Sequence, residues 1–229
     1  MKHIHKESLD STQEYLQEYL AQDDENILVS CNKQNNGKGQ YNRRWESVDT
    51  GIFMSCLISA NPTLTLTSLE VGVLVKQFLF KKFNKELKLK WPNDILDTNG
   101  NKCGGILINN LGNNSKLIVG IGINLYGEKI DLSSSRPLGY ICETQPIETP
   151  KELTLEIYKY ILDNRLTPDL TISMWTEAAI HINQRVQIRD SETIQDGVFI
   201  GVGKMGEALI KDLNGSTKKF YSGSLLFSI

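Results

Sequence analysis

The chain has 229 residues, 40% of them hydrophobic, with 25 Lys and Arg against 27 Asp and Glu; at 25.8 kDa it can bury roughly 70–75% of its unfolded surface, so neither disulfides nor a metal is needed to hold a core. A net charge of −2 gives no global attraction to nucleic acid or to an anionic membrane, and no stretch approaches the roughly 20 apolar residues of a bilayer span. The opening MKHIHKESLDSTQEYL lacks the apolar centre of a secretion signal, so a cytoplasmic protein of one large domain or two unequal ones is expected.

In chain order, His3 and His5 form an H-x-H pair at a terminus expected to fray, where two ligands would leave a metal mostly open, and no role follows for them. Ser11 to Leu20 opens with Ser-x-x-Glu (Ser11, Glu14) and sets Tyr15, Leu16, Tyr19 and Leu20 on one face, which predicts a capped amphipathic helix. A short strand over Ile27 to Cys31 precedes the polar run NKQNNGKGQYNRRWES. That run has no apolar periodicity and predicts a long loop, functional or disordered. Ile52 to Ile58 resumes as strand, and Leu66 to Phe83 carries Leu69, Val73, Leu74, Phe78 and Leu79 at the spacing and length of a buried helix.

Leu87, Leu89 and Trp91 then alternate with Lys88 and Lys90, an amphipathic strand running into the turn Pro92, Asn93, Asp94. Asn99-Gly100 marks a hairpin turn that returns over Gly105 to Asn109, and Lys116 to Asn124 closes an antiparallel meander. Residues 126 to 148 read as irregular. Helical patterning returns from Pro150 to Leu166 and again around Trp175, ending near Ala179. From Val186 the segments VQIRD, DGVFIGV, EALIKDL, STKKFYSG and LLFSI recur every 8 to 12 residues or so, as in a small barrel. A boundary near residue 182 divides residues 1–181 from residues 182–229. Cys31, Cys56, Cys103 and Cys142 form no C-x-x-C pair and read as buried reduced thiols. There is no internal repeat, and no room for a helix-turn-helix module ahead of the first chemistry-bearing motif.

Three segments carry chemistry. Gly37-Lys38-Gly39-Gln40-Tyr41-Asn42-Arg43-Arg44-Trp45 combines glycines that let backbone approach a ligand with cations that can neutralise phosphate. It is not a P-loop, since G-x-x-x-x-G-K-[ST] is absent, and a solvated basic loop would have the same composition. Trp91-Pro92-Asn93-Asp94 puts a carboxylate at a strand end, and the hairpin returns with Lys102 before Cys103-Gly104-Gly105. There the lysine meets no bulky neighbour and can reach a carboxylate or phosphate oxygen. Asp94 could help hold a metal-nucleotide complex, although a turn aspartate and an exposed hairpin lysine would look alike. Gly120 to Asn124, GIGIN, alternates small and apolar residues and ends in an amide suited to a base edge, a pattern that close strand packing also explains.

In this order, DSTQ, Gln34 ahead of GKGQ and RRW, KWPNDIL, NKCGGIL, GIGINL and a small C-terminal β-unit resemble biotin protein ligases, from about residue 8 to the end. The resemblance implies an α+β fold: a mixed-sheet, class II synthetase-like biotin/lipoate ligase catalytic domain (1–181) followed by a small SH3-like β-barrel (182–229). It implies activation of biotin by ATP with Mg2+ to biotinyl-5'-adenylate, then transfer to a lysine of the biotin carboxyl carrier domain of a biotin-dependent carboxylase. The enzyme would be a monomer or homodimer without a nucleic acid or membrane partner. Carried over, it assigns Ser11, Thr12, Gln34, Lys38, Gly39, Gln40 and Gly105 to biotin, Gln13 and Gly37 to the ligand-binding set, and Lys102 to a bridge between biotin carboxylate and phosphate. Arg43 and Arg44 fall to the nucleotide phosphates, Trp45 to stacking on adenine, Asn124 to the adenine edge, and Asp94 to metal and carboxylate.

The chain departs from that family's pattern in three places. Gln40 stands where many members have a second arginine, Tyr41-Asn42 replaces Arg-Gly, and Gly223-Ser224 stands where Gly-Glu is frequent. A lipoate or octanoate ligase or transferase of the same superfamily is the nearest enzyme alternative. The R-R-x-x-G-G-G loop of lipoate ligases is absent. A noncatalytic biotin sensor is the alternative of a different class; family repressors use an added DNA-binding domain, and regulation through DNA is not expected of this chain.

Overall fold

The computed structural model describes residues 1–20, 26–45, 50–112, 115–127, 138–190 and 193–226. Its larger sheet is built from β1 (Lys2–Leu9), β2 (Ile27–Gln34), β5 (Thr50–Ser59), β6 (Leu87–Lys90), β7 (Asp94–Asp97), β8 (Lys102–Asn110) and β9 (Lys116–Tyr126). Between β2 and β5 lies a two-stranded ribbon of β3 (Gly37–Lys38) and β4 (Arg44–Trp45). The sheet order is β1-β2-β5-β9-β8-β7-β6, with β1 parallel to β2 and the other pairs antiparallel. The helices are α1 (Thr12–Tyr19), α2 (Thr67–Phe83), α3 (Pro150–Asp163) and α4 (Pro168–Ala178). An antiparallel sheet of β10 (Arg185–Arg189), β11 (Ile194–Val202), β12 (Ala208–Lys211), β13 (Thr217–Phe220) and β14 (Ser224–Leu226) follows, in the order β13-β12-β11-β10-β14. The class is α+β. The end of the LLFSI segment, residues 227–229, and residues 128–137 of the irregular stretch lie outside the described residues.

Three of the four α-helices, α1, α3 and α4, begin at a side-chain cap. Thr149 and Glu152 exchange bonds as a capping box ahead of Pro150 at the first position of α3, which satisfies two otherwise orphaned donors. Ser11 caps α1 by accepting from the Glu14 amide at 3.4 Å. Leu16 of the predicted face is buried, with Tyr15 and Leu20 packed against the same cluster and Tyr19 exposed but stacked on Tyr15; Thr12 and Gln13 join the buried side, which the periodicity did not suggest. The reason is polar: Thr12 and Gln13 find partners inside, described below.

Alternation along the strands separates two faces. Leu28, Met54, Cys56, Val119 and Ile121 join α2, α3 and α4 in the main core, which continues into Ile188, Phe199, Ile210 and Leu225 of the second sheet. Ile27, Val29, Leu57 and Ile118 face the other way, against Leu16 of α1. That second face is covered only in part, and it carries the candidate site. At the junction, the buried Trp91 indole donates to Gly206 O at 3.0 Å, and the Ile180 amide donates to Leu89 O at 3.0 Å.

Several sequence expectations need correcting. The N-terminus is not frayed: β1 pairs with β2, and His3 Nε2 and His5 Nδ1 meet Ser30 Oγ at 2.8 and 2.9 Å. Residues 32–45 are not an irregular loop, because β2 runs on to Gln34 and the β3–β4 ribbon follows. Lys90 is not on a solvated strand face; it is buried. The thiols of Cys31, Cys56 and Cys103 are buried, which pushes them up to about 11, 12 and 12.

Inside the main core, Glu70 is fully buried and accepts from Arg165 Nε and Nη2 at 2.7 and 2.9 Å, from the Leu166 amide at 2.8 Å and from Asn61 Nδ2 at 2.9 Å. Burial alone would raise its carboxyl, but these donors hold it below the usual range.

Candidate functional site

A cleft with about 950 Å3 of empty space, part of it open to solvent, lies on the sheet face that α1 shares. Its floor is glycine. Gly120 and Gly122 of β9 lie beside Leu107 and Gly105 of β8, and Gly105 lies beside Asp94 of β7. A Cβ on Gly120 would sit 2.6 Å from Gln13 Oε1, and one on Gly122 would sit 2.6 Å from Trp45 Cε2. At either place a larger residue would have to push that neighbour aside, which is why GIGIN reads small-apolar-small.

One end of the floor carries neutral polar groups. Thr12 N donates to Gln34 Oε1 at 2.9 Å, Thr12 Oγ1 and Ser55 Oγ lie 2.9 Å apart, and Ser55 Oγ donates to Gln13 Oε1 at 2.8 Å. Gln13 Nε2 closes the chain on Ile118 O at 3.2 Å. Thr12, Gln13 and Ser55 are buried, and these bonds hold their hydroxyl and amide groups in a preformed network at the cleft wall.

The other end is cationic. Asp94 Oδ1 is 2.5 Å from Lys102 Nζ, and Oδ2 is 3.0 Å from Lys90 Nζ. Burial would raise this carboxyl, yet the charges and hydrogen bonds of the two lysines pull it down to about 2. Both its oxygens therefore hold ammonium groups. Among the described residues no group of three or more His, Cys, Asp or Glu is arranged to hold a metal ion. From β5 to β7 is three strand spacings, roughly 15 Å, so the cleft is polar and neutral at one end and charged at the other.

The β3–β4 ribbon supplies a wall. Lys38, Gly39, Gln40, Tyr41, Arg43, Arg44 and Trp45 line the cleft, where among the described residues five cations face one carboxylate, Asp94. Trp45 lies over Gly105 and Gly122, with Lys102 Nζ 5.3 Å from its ring centre. Lys38 pairs with Glu14 at 3.2 Å, and Arg44 donates to Asn35 O at 2.8 Å. Tyr41 has a left-handed backbone (φ 56°), and its hydroxyl accepts from the Gly223 amide at 2.9 Å. Gly223, Ser224 and Leu225 thus bring the second sheet to the rim.

Of the expected site residues, Ser11, Thr12, Gln13, Gln34, Lys38, Gly39, Gln40, Arg43, Arg44, Trp45, Asp94, Lys102 and Gly105 all meet in this cleft. Two stand behind it. Gly37 packs against Trp45, where a Cβ would fall 2.8 Å from its carbonyl oxygen. Asn124 is buried and donates to Lys102 O and Gly139 O at 3.1 and 3.2 Å, so its amide hydrogens hold the start of β8. Sequence reasoning missed Ser55, Lys90, Asn93 and Tyr41 as lining residues. Ser55 did leave a signal, a lone hydroxyl inside the apolar run of β5.

The profile of the biotin/lipoate A/B protein ligase family matches residues 6–125. The bifunctional ligase/repressor BirA of Bacillus subtilis is 28% identical over 97% of this chain and 73% of its own length. The biotin–[acetyl-CoA-carboxylase] ligase of Paracoccus denitrificans is 23% identical over 80% of this chain and 83% of its own. Among solved structures, a biotin protein ligase from Aquifex aeolicus in complex with biotin and ATP superposes with a TM-score of 0.84 at 27% identity, covering 99% of both chains.

Proposed function

We propose, from the premise that the chain belongs to the biotin/lipoate A/B protein ligase family, that it activates biotin with ATP and transfers it to a lysine of a biotin carboxyl carrier domain. The observation that carries this reading is the split character of the cleft. A fused ureido ring needs neutral donors and acceptors, as the Thr12–Gln34–Ser55–Gln13 network offers. A carboxylate and a polyphosphate need cations, as Lys102, Arg43 and Arg44 offer. A lipoyl dithiolane would offer these hydroxyl and amide groups no donor or acceptor in return, which is unfavourable.

In the first step a biotin carboxylate oxygen attacks the α-phosphorus of ATP, the bond to the β-phosphate oxygen breaks, and pyrophosphate leaves. Two anions must be brought together, so Lys102 is assigned to bridge carboxylate and α-phosphate, with Arg43 and Arg44 on the departing pyrophosphate. Trp45 and the glycine floor confine the acyl-phosphate junction and exclude water that would hydrolyse it. In the second step the acceptor amine attacks the biotinyl carbonyl, AMP leaves with the bonding pair, and the amine loses a proton. Magnesium is taken to arrive as MgATP, neutralising phosphate charge.

The relatives' names support this reading, and the biotin and ATP of the Aquifex aeolicus complex are the ligands it requires. We assign the chemistry to residues 1–181 and rim contacts to residues 182–229, since the second sheet begins at Arg185. No described helix is long and apolar enough to cross a membrane. The test is incubation with MgATP and an isolated biotin carboxyl carrier domain, offering biotin or lipoate, followed by mass spectrometry. Biotin on a single carrier lysine is expected; attachment of lipoate in preference, or of neither acid, contradicts the proposal.

A further inference from the structure

Lys90 is 5% exposed, and an ammonium removed from water costs several kcal/mol unless something close repays it. Asp94 repays it at 3.0 Å on one oxygen while Lys102 holds the other at 2.5 Å. The two lysines differ in freedom. The Lys102 side chain is 27% exposed and lies beside Trp45 and Gly105, whereas that of Lys90 is 6% exposed. Of the neighbours charged in principle, His181 is pushed down to about 3 by burial and by the Lys90 charge, so it is neutral. Lys90, Asp94 and Lys102 together carry one net positive charge.

That balance matters when anions arrive. An anion that draws Lys102 toward itself takes it from Asp94 and leaves a buried carboxylate behind. With Lys90 in place the carboxylate keeps a cation at 3.0 Å; without that cation, more of its negative charge would face the incoming anions and hold Lys102 back. We infer that Lys90 is a positioning residue that keeps Asp94 neutralised, so that Lys102 is free to pass from Asp94 to the reacting anions. Lys90 acts through Asp94 and does not itself bind substrate. The identity of those anions rests on the ligase reading; the charge hand-over does not.

The experiment compares wild type, Lys90→Met and Lys90→Met/Asp94→Asn in acid-dependent ATP–pyrophosphate exchange, with circular dichroism confirming that each is folded. Lys90→Met should lower the maximal rate on the order of 100-fold. Removing the Asp94 charge as well should recover at least about tenfold of that loss. A residue that merely fills space, or one that grips substrate directly, would give no recovery. A single variant at the wild-type rate, or a double variant no better than the single, overturns the inference. Calorimetric binding of inorganic pyrophosphate alone should rank the three proteins in the same order. If biotin drives no exchange but another acid does, the substrate reading fails and the variants are ranked on that acid. If no acid does, the pyrophosphate order alone upholds or overturns the hand-over.

Discussion

Replacing Gly122 by alanine probes the floor of the cleft without touching a charge or a hydrogen bond. The new methyl carbon would stand 2.6 and 2.7 Å from Trp45 Cε2 and Cζ2, where carbon atoms in contact need about 3.5 Å or more. The indole must therefore lift by about 1 Å, and whatever ligand shares that floor loses the same depth. Gly122 lies in the middle of β9 without a left-handed backbone, so alanine suits the strand and global stability should hold within about 1 kcal/mol. Overpacking of this size costs about 1–3 kcal/mol, and here it should fall on the bound state: biotin affinity, titrated by tryptophan fluorescence or calorimetry, should weaken roughly 5- to 150-fold. Unchanged affinity in a folded Gly122→Ala protein would refute the placement of ligand on this floor.

Further outcomes follow from the same geometry. Lys102→Ala should cut adenylate formation by on the order of 100-fold or more with the fold intact; near-normal exchange would remove Lys102 from the chemistry. Tyr41→Phe leaves the Gly223 amide without its acceptor, a loss of about 1 kcal/mol. It should speed release of the adenylate roughly fivefold in a chase experiment, and an unchanged release rate would show that the contact does not hold the ribbon. Glu70→Ala strips Arg165 of a buried partner and should cost about 3–5 kcal/mol, roughly 10 °C in calorimetry for a chain of this length. Because the Glu70 carboxyl is held below its ordinary value, its contribution is complete above that value and fades as pH falls through the lowered one. Glu70→Gln should therefore flatten the acid side of the stability curve; an unaltered acid side would contradict the pairing.

What the sequence made legible was what local physics decides. The helix over Thr67–Phe83 and the meander from Leu87 to Tyr126 follow from periodicity and from the Asn99-Gly100 turn. The order of DSTQ, GKGQ, KWPNDIL, NKCGGIL and GIGINL pointed to one cleft, and the structure brings most of those residues together there. What stayed hidden depends on long-range pairing. β1, KHIHKESL, has hardly any apolar residues to betray it and exists because β2 lies parallel to it. Lys90 obeys a polar alternation that normally means solvent, and Asp94, arriving from the next strand, gives its buried ammonium a counter-charge. Asn124 looked like a ligand group, yet its amide hydrogens are claimed by Lys102 O and Gly139 O. Tyr41 stood out only as a departure from the family's loop, and its partner, Gly223, is far along the chain.

The central claim, that this cleft joins biotin to AMP, is tested most directly by pyrophosphate–ATP exchange with purified protein, MgATP and biotin. Exchange that depends on biotin, is not supported by lipoate, and disappears in Lys102→Ala is the predicted result. Exchange driven by lipoate and indifferent to biotin, or biotin-dependent exchange undiminished in Lys102→Ala, would contradict it.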